Sequence, residues 1–339
     1  MTETVLVTGG TGFVSGWCIV ELLKRGYAVR TTVRNLPRER AARAAIAGYT
    51  DLGDRLTFFV ADLTSDEGWD DAVAGCDYVL HVASPLGGDS PKDADTLILP
   101  ARDGTLRVLR AATKAKVNRV VLTSSCAAAS PHLAGADSVS DETVWTDTAD
   151  ESLNAYRKSK VLAEQAAWEF MRHYAGPTAL TTILPGAVFG PVLTRENPGS
   201  VQVIGRLLQG RVPGNPRLGF DVVDVRDLAD VHILAMTSPQ AAGQRFIATG
   251  EFLWMADVSK ALRAELGPSA SKVPTRALPN FVLRLLARFD PGVRAVTPGL
   301  GRKHRHVSEK AQRVLGWRPR PATETVVDCA RSLIAQGVV

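Results

Sequence analysis

Short apolar runs alternate along the first half of the chain with segments whose apolar positions recur every three or four residues. "TVLVT", from Thr4 to Thr8, is β-rich, and after a glycine-rich turn Phe13, Val14, Trp17, Val20 and Leu23 follow helical spacing until Gly26 ends the pattern. The alternation continues through "AVRTTV" (28–33), an Ala-rich segment (37–47), "LTFFV" (56–60), a short polar helix around Asp66 to Ala74, and "YVLHV" (78–82). Repeated strand-helix units of this kind predict a parallel sheet covered on both faces. A long helical pattern from Asp93 to Ala115, "RVVLTS" (119–124), a helix from about Ser152 to Tyr174, and "LTTIL" (180–184) extend the sheet past midchain.

After Pro185 the texture changes. Gly and Pro are frequent through Pro216, and the tail from Glu251 predicts helices near 256–266, 280–288 and 308–315, while "RFIAT" (245–249) is strand-like and suits the first sheet. The expected architecture is α/β: a doubly wound parallel sheet from residues 1–185 plus 220–249, with a smaller, discontinuous C-terminal substrate domain from 186–219 plus 250–339. No internal repeat or low-complexity tract appears.

Composition narrows the class. A chain of 339 residues, 45% hydrophobic and 22% charged, can bury a large core. No run approaches the roughly 18 apolar residues of a membrane span, and the first apolar run starts too early for a signal peptide, so a cytoplasmic protein with no membrane partner is expected. Cys18, Cys76, Cys126 and Cys329 lie far apart without a CxxC pair, which fits reduced thiols and no metal site. Net charge is +5, and the densest basic run, "GRKHRH" (301–306), lacks interleaved aromatics, which argues against a nucleic-acid partner.

The turn "TGGTGFVSG" (8–16) joins a first strand to a helix start, where free backbone N–H groups and the helix dipole favour an anion. This makes the sheet Rossmann-type and marks Gly9, Thr11, Gly12, Phe13 and Val14 as candidate dinucleotide contacts. Ser15 stands where a third glycine is usual; that position mainly permits close helix-strand packing, for which a small residue suffices. At the end of the second strand Arg34 occupies the place where an NAD-binding carboxylate would lie, with Arg38 and Arg40 nearby, so a 2'-phosphate is favoured and the cofactor is NADPH/NADP+.

"YRKSK" sets Tyr156 and Lys160 one helical turn apart on one face. An adjacent ammonium favours phenolate, drawing an otherwise weakly acidic group toward neutral pH. The spacing alone is common; "TSS" (123–125) at a strand end adds a hydroxyl, Ser125, that can orient a carbonyl beside the phenol, although Ser125 also suits a plain turn or cap.

In order, "TGGTGFVSG", "VADLTS", "YVLHVASP", "VVLTSS", "YRKSK", "LPGAVFGP", "DVVDVRDLADVH" and "HVSEKAQRVLGWRPR" resemble the extended short-chain dehydrogenase/reductases, most of all the dihydroflavonol-4-reductase-like aldehyde and ketone reductases. The resemblance implies a catalytic triad of Ser125, Tyr156 and Lys160: Tyr gives the proton, Lys also holds the nicotinamide ribose, and Ser polarises the carbonyl. It further implies adenine contacts at Asp62 and Leu63, a cofactor cleft lined by Ala83, Ser84 and Thr123, a segment from Pro185 to Val188 beside the nicotinamide, and Arg34 as the basic residue of NADPH-using members.

Ala101 and Arg107 stand where many sugar-nucleotide epimerases of this family carry asparagines, and "SSCAAAS" lacks the Asp-Glu pair of the 4,6-dehydratases, which disfavours both roles. His81 and His232 fall in apolar elements and suit hydrogen-bonded core positions; Cys126 suits a pocket wall, and Trp145 either roofs the pocket or pins its loop. The expected function is NADPH-dependent reduction of ketones or aldehydes, on an uncharged, partly apolar or aromatic carbonyl compound, by a monomer or homodimer. Oxidation of a secondary alcohol or hydroxysteroid, and a non-catalytic NADP(H)-sensing protein, are the alternatives.

Overall fold

The computed structural model describes residues 2–85, 94–132, 136–195, 199–289, 293–294 and 297–339; Asp93, where the sequence predicts a helix start, lies outside them. The first half runs β1 (Thr4–Val7), α1 (Phe13–Lys24), β2 (Ala28–Val33), α2 (Pro37–Ala47), β3 (Leu56–Val60), α3 (Trp69–Val73), β4 (Tyr78–His81), α4 (Asp95–Lys114) and β5 (Arg119–Thr123). It continues with β6 (Ser138–Ser140), α5 (Ala155–Arg172), β7 (Ala179–Pro185), β8 (Ala187–Phe189), α6 (Val201–Leu208), β9 (Asn215–Pro216), β10 (Gly219–Asp224) and α7 (Val225–Thr237). The remainder comprises β11 (Arg245–Ala248), β12 (Phe252–Trp254), α8 (Met255–Leu266), β13 (Ala277–Leu278), α9 (Asn280–Leu286), β14 (His304–His306) and two further helices, Glu309–Leu315 and Ala322–Ala335.

Seven parallel strands form the main sheet in the order β11-β7-β5-β4-β1-β2-β3. One face buries Val7, Leu80, Val121, Ile183 and Phe246 with apolar residues of α1 and α7, and the other buries Leu6, Val79, Val120 and Leu180 with residues of α3, α4 and α5. Burial on both faces is why these strands are almost uniformly apolar. Strand order reverses between β1 and β4, so the loops following these two strands open a crevice at the carboxyl edge, the place where doubly wound sheets bind ligands.

A second apolar cluster gathers Phe189, Ile204, Leu207, Leu262, Val326 and Leu333 from β8, α6, α8 and the helix Ala322–Ala335. Its strands are short: β10 pairs with β8 and β12, and β13 with β9. β14 pairs with β6, which brings the tail against the loop that follows β5. Among the described residues no helix is long and apolar enough to cross a membrane.

Across the sheet's carboxyl half runs one buried ion pair. Glu164 of α5 is fully buried and accepts from Arg245 Nε at 2.8 Å, Ser124 Oγ at 2.6 Å and Thr182 Oγ1 at 2.8 Å. Arg245 of β11 also donates to the carbonyls of Glu142, Val144 and Ala128. Removing one partner leaves an uncompensated buried charge, so Glu164→Ala is expected to lower unfolding free energy by about 3–5 kcal/mol in urea titrations. Glu164→Ala combined with Arg245→Met should recover part of that loss; equal stability of Glu164→Ala and wild type would refute the assignment.

Candidate active site

The turn after β1 is built for close approach. Gly9 has φ +76°, and a Cβ there would lie 3.0 Å from Cβ of Ala83, so the two loops at the strand-order reversal meet only because Gly9 lacks a side chain. Gly12 is the N-cap of α1 without any side-chain hydrogen bond to the first turn, which leaves the N–H groups of Phe13 and Val14 without a helical partner at the positive end of the helix. Ser15 replaces the expected glycine with a fastener: its hydroxyl donates to the Gly9 carbonyl and lies 3.1 Å from that of Gly12, holding the turn against the helix. Thr11 and Gly12 are exposed at the mouth. This cradle fits a pyrophosphate.

Arg34 is exposed just past β2, and its guanidinium field acts on Asp62, whose carboxyl is held below the ordinary range mainly by hydrogen bonds from Thr64. Arg34 and Asp62 therefore share one corner of the crevice. Leu63 packs its side chain against Gly104 of α4 and is partly buried, while Arg107 is tied to Asp66 (2.5 Å) and to the Leu63 carbonyl (2.8 Å). Arg107 thus braces the loop after β3. Ala83 and Ser84 are partly buried in the loop after β4, and the backbone N–H groups of Val82 and Ala83 donate to Thr8 Oγ1 at 3.0 and 2.9 Å. Pro185 ends β7 opposite Ala248, and Val188 of β8 is partly buried against the main core.

Ser125, Tyr156 and Lys160 come together. Ser125 follows β5 in extended conformation and caps the 3-10 turn Cys126–Ala129 by accepting from Ala127 N at 3.2 Å. Its hydroxyl is near enough to the Tyr156 phenol to favour the phenolate. α5 begins at Ala155 because the side chain of Asn154 accepts from Arg157 N, which aims Tyr156 and Lys160 from the first two turns toward the crevice. Lys160 is 7% exposed, with Nζ 5.9 Å from the centre of the Tyr156 ring.

The electrostatics correct one expectation. Burial raises the Tyr156 phenol above its ordinary pKa, and the groups pulling it back are the Ser125 hydrogen bond and the Arg157 guanidinium. Burial also lowers Lys160 to about 8, against the opposing field of Glu164. Desolvation therefore holds both groups closer to neutral than the spacing alone suggests. Arg157 is itself partly buried, with Nε lacking a partner among the described residues; only its adjacency to Tyr156 signals it in the sequence.

A second correction concerns Thr123. Its hydroxyl lies 2.7 Å from His232 Nε2, and His232 Nδ1 lies 2.7 Å from the Leu228 carbonyl, so the Thr123 side chain points to α7, away from α5. Cys126 is buried, its thiol pushed well above the usual range by burial and directed at the Leu184 carbonyl, 3.2 Å away, which leaves it inert. Trp145 pins its loop: the Arg245 guanidinium stacks 3.7 Å from its ring centre. All four cysteines are free and buried, and among the described residues no cluster of three metal-ligating side chains occurs.

Known proteins share this plan. The model of the NAD dependent epimerase/dehydratase family matches residues 5–248. An anthocyanidin reductase of Vitis vinifera is 36% identical over 257 residues, 71% of this chain and 75% of the relative. Cinnamoyl-CoA reductase 1 of Petunia hybrida is 36% identical over 264 residues, 77% of this chain and 76% of its own. Among solved structures, yeast methylglyoxal/isovaleraldehyde reductase Gre2, complexed with NADPH, superimposes with a TM-score of 0.82 at 26% identity, covering 99% of this chain and 100% of that one. A cradle for pyrophosphate, a Ser-Tyr-Lys cluster at the carboxyl edge and a matched family model over most of the chain lead to one conclusion: the protein is a member of the NAD dependent epimerase/dehydratase family, the extended short-chain dehydrogenase/reductases.

Proposed function

We propose that the chain is an NADPH-dependent carbonyl reductase that converts ketones or aldehydes to alcohols. The observation that carries this reading is the convergence of the Ser125 hydroxyl, the Tyr156 phenol and a buried Lys160 at one place. When bound, the reduced dinucleotide supplies a hydride to the carbonyl carbon. Tyr156 Oη gives its proton to the developing alkoxide, so that hydride and proton together make the alcohol. Ser125 orients the carbonyl oxygen, and its hydrogen bond also helps the phenol carry negative charge once the proton has left.

Residues of the first turns hold the dinucleotide: Gly9, Thr11, Gly12, Phe13 and Val14 the pyrophosphate, Arg34 the 2'-phosphate, Asp62 and Leu63 the adenine end, Ala83, Ser84, Pro185 and Val188 the cleft walls, and Lys160 the nicotinamide ribose. Segments 186–219 and 250–339 carry the substrate. Relatives named for anthocyanidin and cinnamoyl-CoA reduction, and a structural neighbour named for methylglyoxal and isovaleraldehyde, favour a carbonyl substrate that is uncharged at the reacting end and partly apolar or aromatic. Epimerase chemistry is disfavoured because Arg107, at a position where many epimerases have asparagine, is occupied by Asp66 and the Leu63 carbonyl.

NADPH consumption measured over a panel of aromatic ketones, aldehydes, keto esters and steroids should reveal a substrate. With that substrate Tyr156→Phe should lose roughly 10²- to 10⁴-fold in rate while NADPH binding survives. Tyrosinate absorbance in the cofactor-free protein adds a pH check: the wild type minus Tyr156→Phe difference should appear only above the ordinary phenol range, because burial raises this group. A Tyr156→Phe protein reducing carbonyls at the wild-type rate would remove the mechanism.

Cofactor choice has its own test. Losing a charge-assisted contact to phosphate costs about 1.5–3 kcal/mol, so Arg34→Ser should weaken NADPH binding on the order of 10- to 100-fold and leave NADH binding nearly unchanged. Equal losses for both dinucleotides would mean that Arg34 does not read the 2'-phosphate.

A further inference from the structure

Large apolar side chains are covered in this protein with one concentrated exception. Eleven are exposed among the described residues, and four of these, Phe281, Leu285, Leu286 and Phe289, belong to α9 and the turn that extends it. Phe281 (71%) and Phe289 (81%) are the most exposed of the eleven. What this segment buries is a narrow stripe, Leu283 and Ala287. Helical spacing sets Phe281 and Leu285 opposite that stripe, with Arg284 and Arg288 on one flank and Leu286 and Phe289 on the other. The end of the segment is fastened: Arg288 N and Phe289 N donate to the Leu285 and Leu286 carbonyls, and Arg294 Nε donates to the Ala287 carbonyl at 2.9 Å. Its outward face stays bare.

Positive charge concentrates in the same stretch. Residues 267–308 hold eight Lys and Arg against Asp290 alone, a formal net charge of +7 in a chain whose total is +5. Arg284 also lines, with Arg217 and Arg302, a cavity of about 500 Å³ beside α9, in which Asp137 is the one acidic lining residue. Arg302 is committed to the fold, since it donates to the carbonyls of Ala136 and His132 and to Ser138 Oγ. Arg217, Arg284 and Arg288 are exposed, and among the described residues none of them makes an ion pair. A bare apolar face is thus edged by guanidinium groups whose donors are open.

We propose that α9 is an interfacial anchor for an anionic phospholipid bilayer: Phe281, Leu285 and Phe289 enter the boundary between headgroups and acyl chains, while Arg217, Arg284 and Arg288 meet lipid phosphates. An apolar face flanked by cations is the pattern of a helix lying in the membrane plane, and the guanidinium fork matches two phosphate oxygens at once. A second copy of the chain fits this face poorly, because a symmetric contact would set Arg284 and Arg288 against their own equivalents. Short apolar runs in the sequence bear on spanning a membrane, not on resting at its surface, and among the described residues no helix is long and apolar enough to cross one. The anchor goes beyond the reductase reading and does not depend on the chemistry at Tyr156.

Flotation of the intact chain with lipid vesicles tests this. Expected are retention on vesicles of phosphatidylcholine and phosphatidylserine in equal parts, release as salt is raised, and little retention on phosphatidylcholine alone. Each Lys or Arg at an anionic surface is worth about fivefold in partitioning, so Arg284→Ser with Arg288→Ser should lose roughly 30-fold. Phe281→Ser with Phe289→Ser should lose on the order of tenfold or more on the same vesicles. Failure of the wild type to float with the mixed vesicles, or either double variant floating as the wild type does, overturns the proposal. Sedimentation velocity without lipid gives a further check: a dimer that Phe281→Ser with Phe289→Ser dissociates would assign the face to a second copy and overturn it as well. In Phe281→Trp the added fluorescence should move to shorter wavelength and be quenched by brominated acyl chains on the mixed vesicles; unquenched emission overturns the insertion even if neither serine variant folds. Vesicle binding without carbonyl reduction, or reduction without vesicle binding, shows which of the two readings has failed.

Discussion

The site depends on the buried pair between Glu164 and Arg245. Glu164 sits one helical turn beyond Lys160 on α5 and accepts from Ser124, the residue preceding Ser125. The distance between helix and strand that lets Ser125 meet Tyr156 is therefore set by a carboxylate behind them. From the other side Arg245 gathers the carbonyls of Ala128, Glu142 and Val144 and stacks on Trp145, so the same pair fastens the loop between β5 and α5. Taking two charges out of water is costly, and the arrangement holds because both carboxylate oxygens and every nitrogen of the guanidinium have partners. Such a pair contributes geometry more than stability.

Much of this fold is legible in the sequence, and the reasons for success and failure are physical. β2, α2 and β3 fall on the residues their patterns predict, because turn-forming residues bound each of them. The helix expected from Ser152 starts at Ala155, since Asn154 caps it. α7 is hard to see: Val225, Leu228, Ala229, Val231, Ile233, Ala235 and Met236 are all buried, so its apolar residues lack a polar face to give them a period. Strands of two or three residues such as β9, β13 and β14 exist because distant segments meet, and so short a run carries no readable alternation.

The site divides the same way. Residue type and order bring Ser125, Tyr156 and Lys160 together on paper, and the turn after β1 is visible from its glycines. What the sequence does not carry is the direction of a side chain. Thr123 lies in the motif yet faces α7, while Ser15 departs from the glycine pattern yet fastens the turn. Both outcomes follow from hydrogen bonds to residues elsewhere in the chain or backbone, and spacing is blind to those.

Desolvation sets the chemical character of the crevice. Tyr156 is raised and Lys160 lowered, each mainly by burial, so in the cofactor-free protein the phenol keeps its proton firmly and the amine titrates near 8. The proton donation proposed for Tyr156 would profit from this, because a donor must arrive at the reaction still protonated, and a dry site strengthens each dipole that would stabilise a phenolate. The opposing groups are close and fixed: the Ser125 hydroxyl and the Arg157 guanidinium for the phenol, the Glu164 carboxylate for the amine. Since Glu164 acts on Lys160 through its charge and on Ser125 through Ser124, the pair that fixes the geometry also tunes the electrostatics. Shape and acidity of the site are therefore one property of the fold, and a change at Glu164 or Arg245 alters both together.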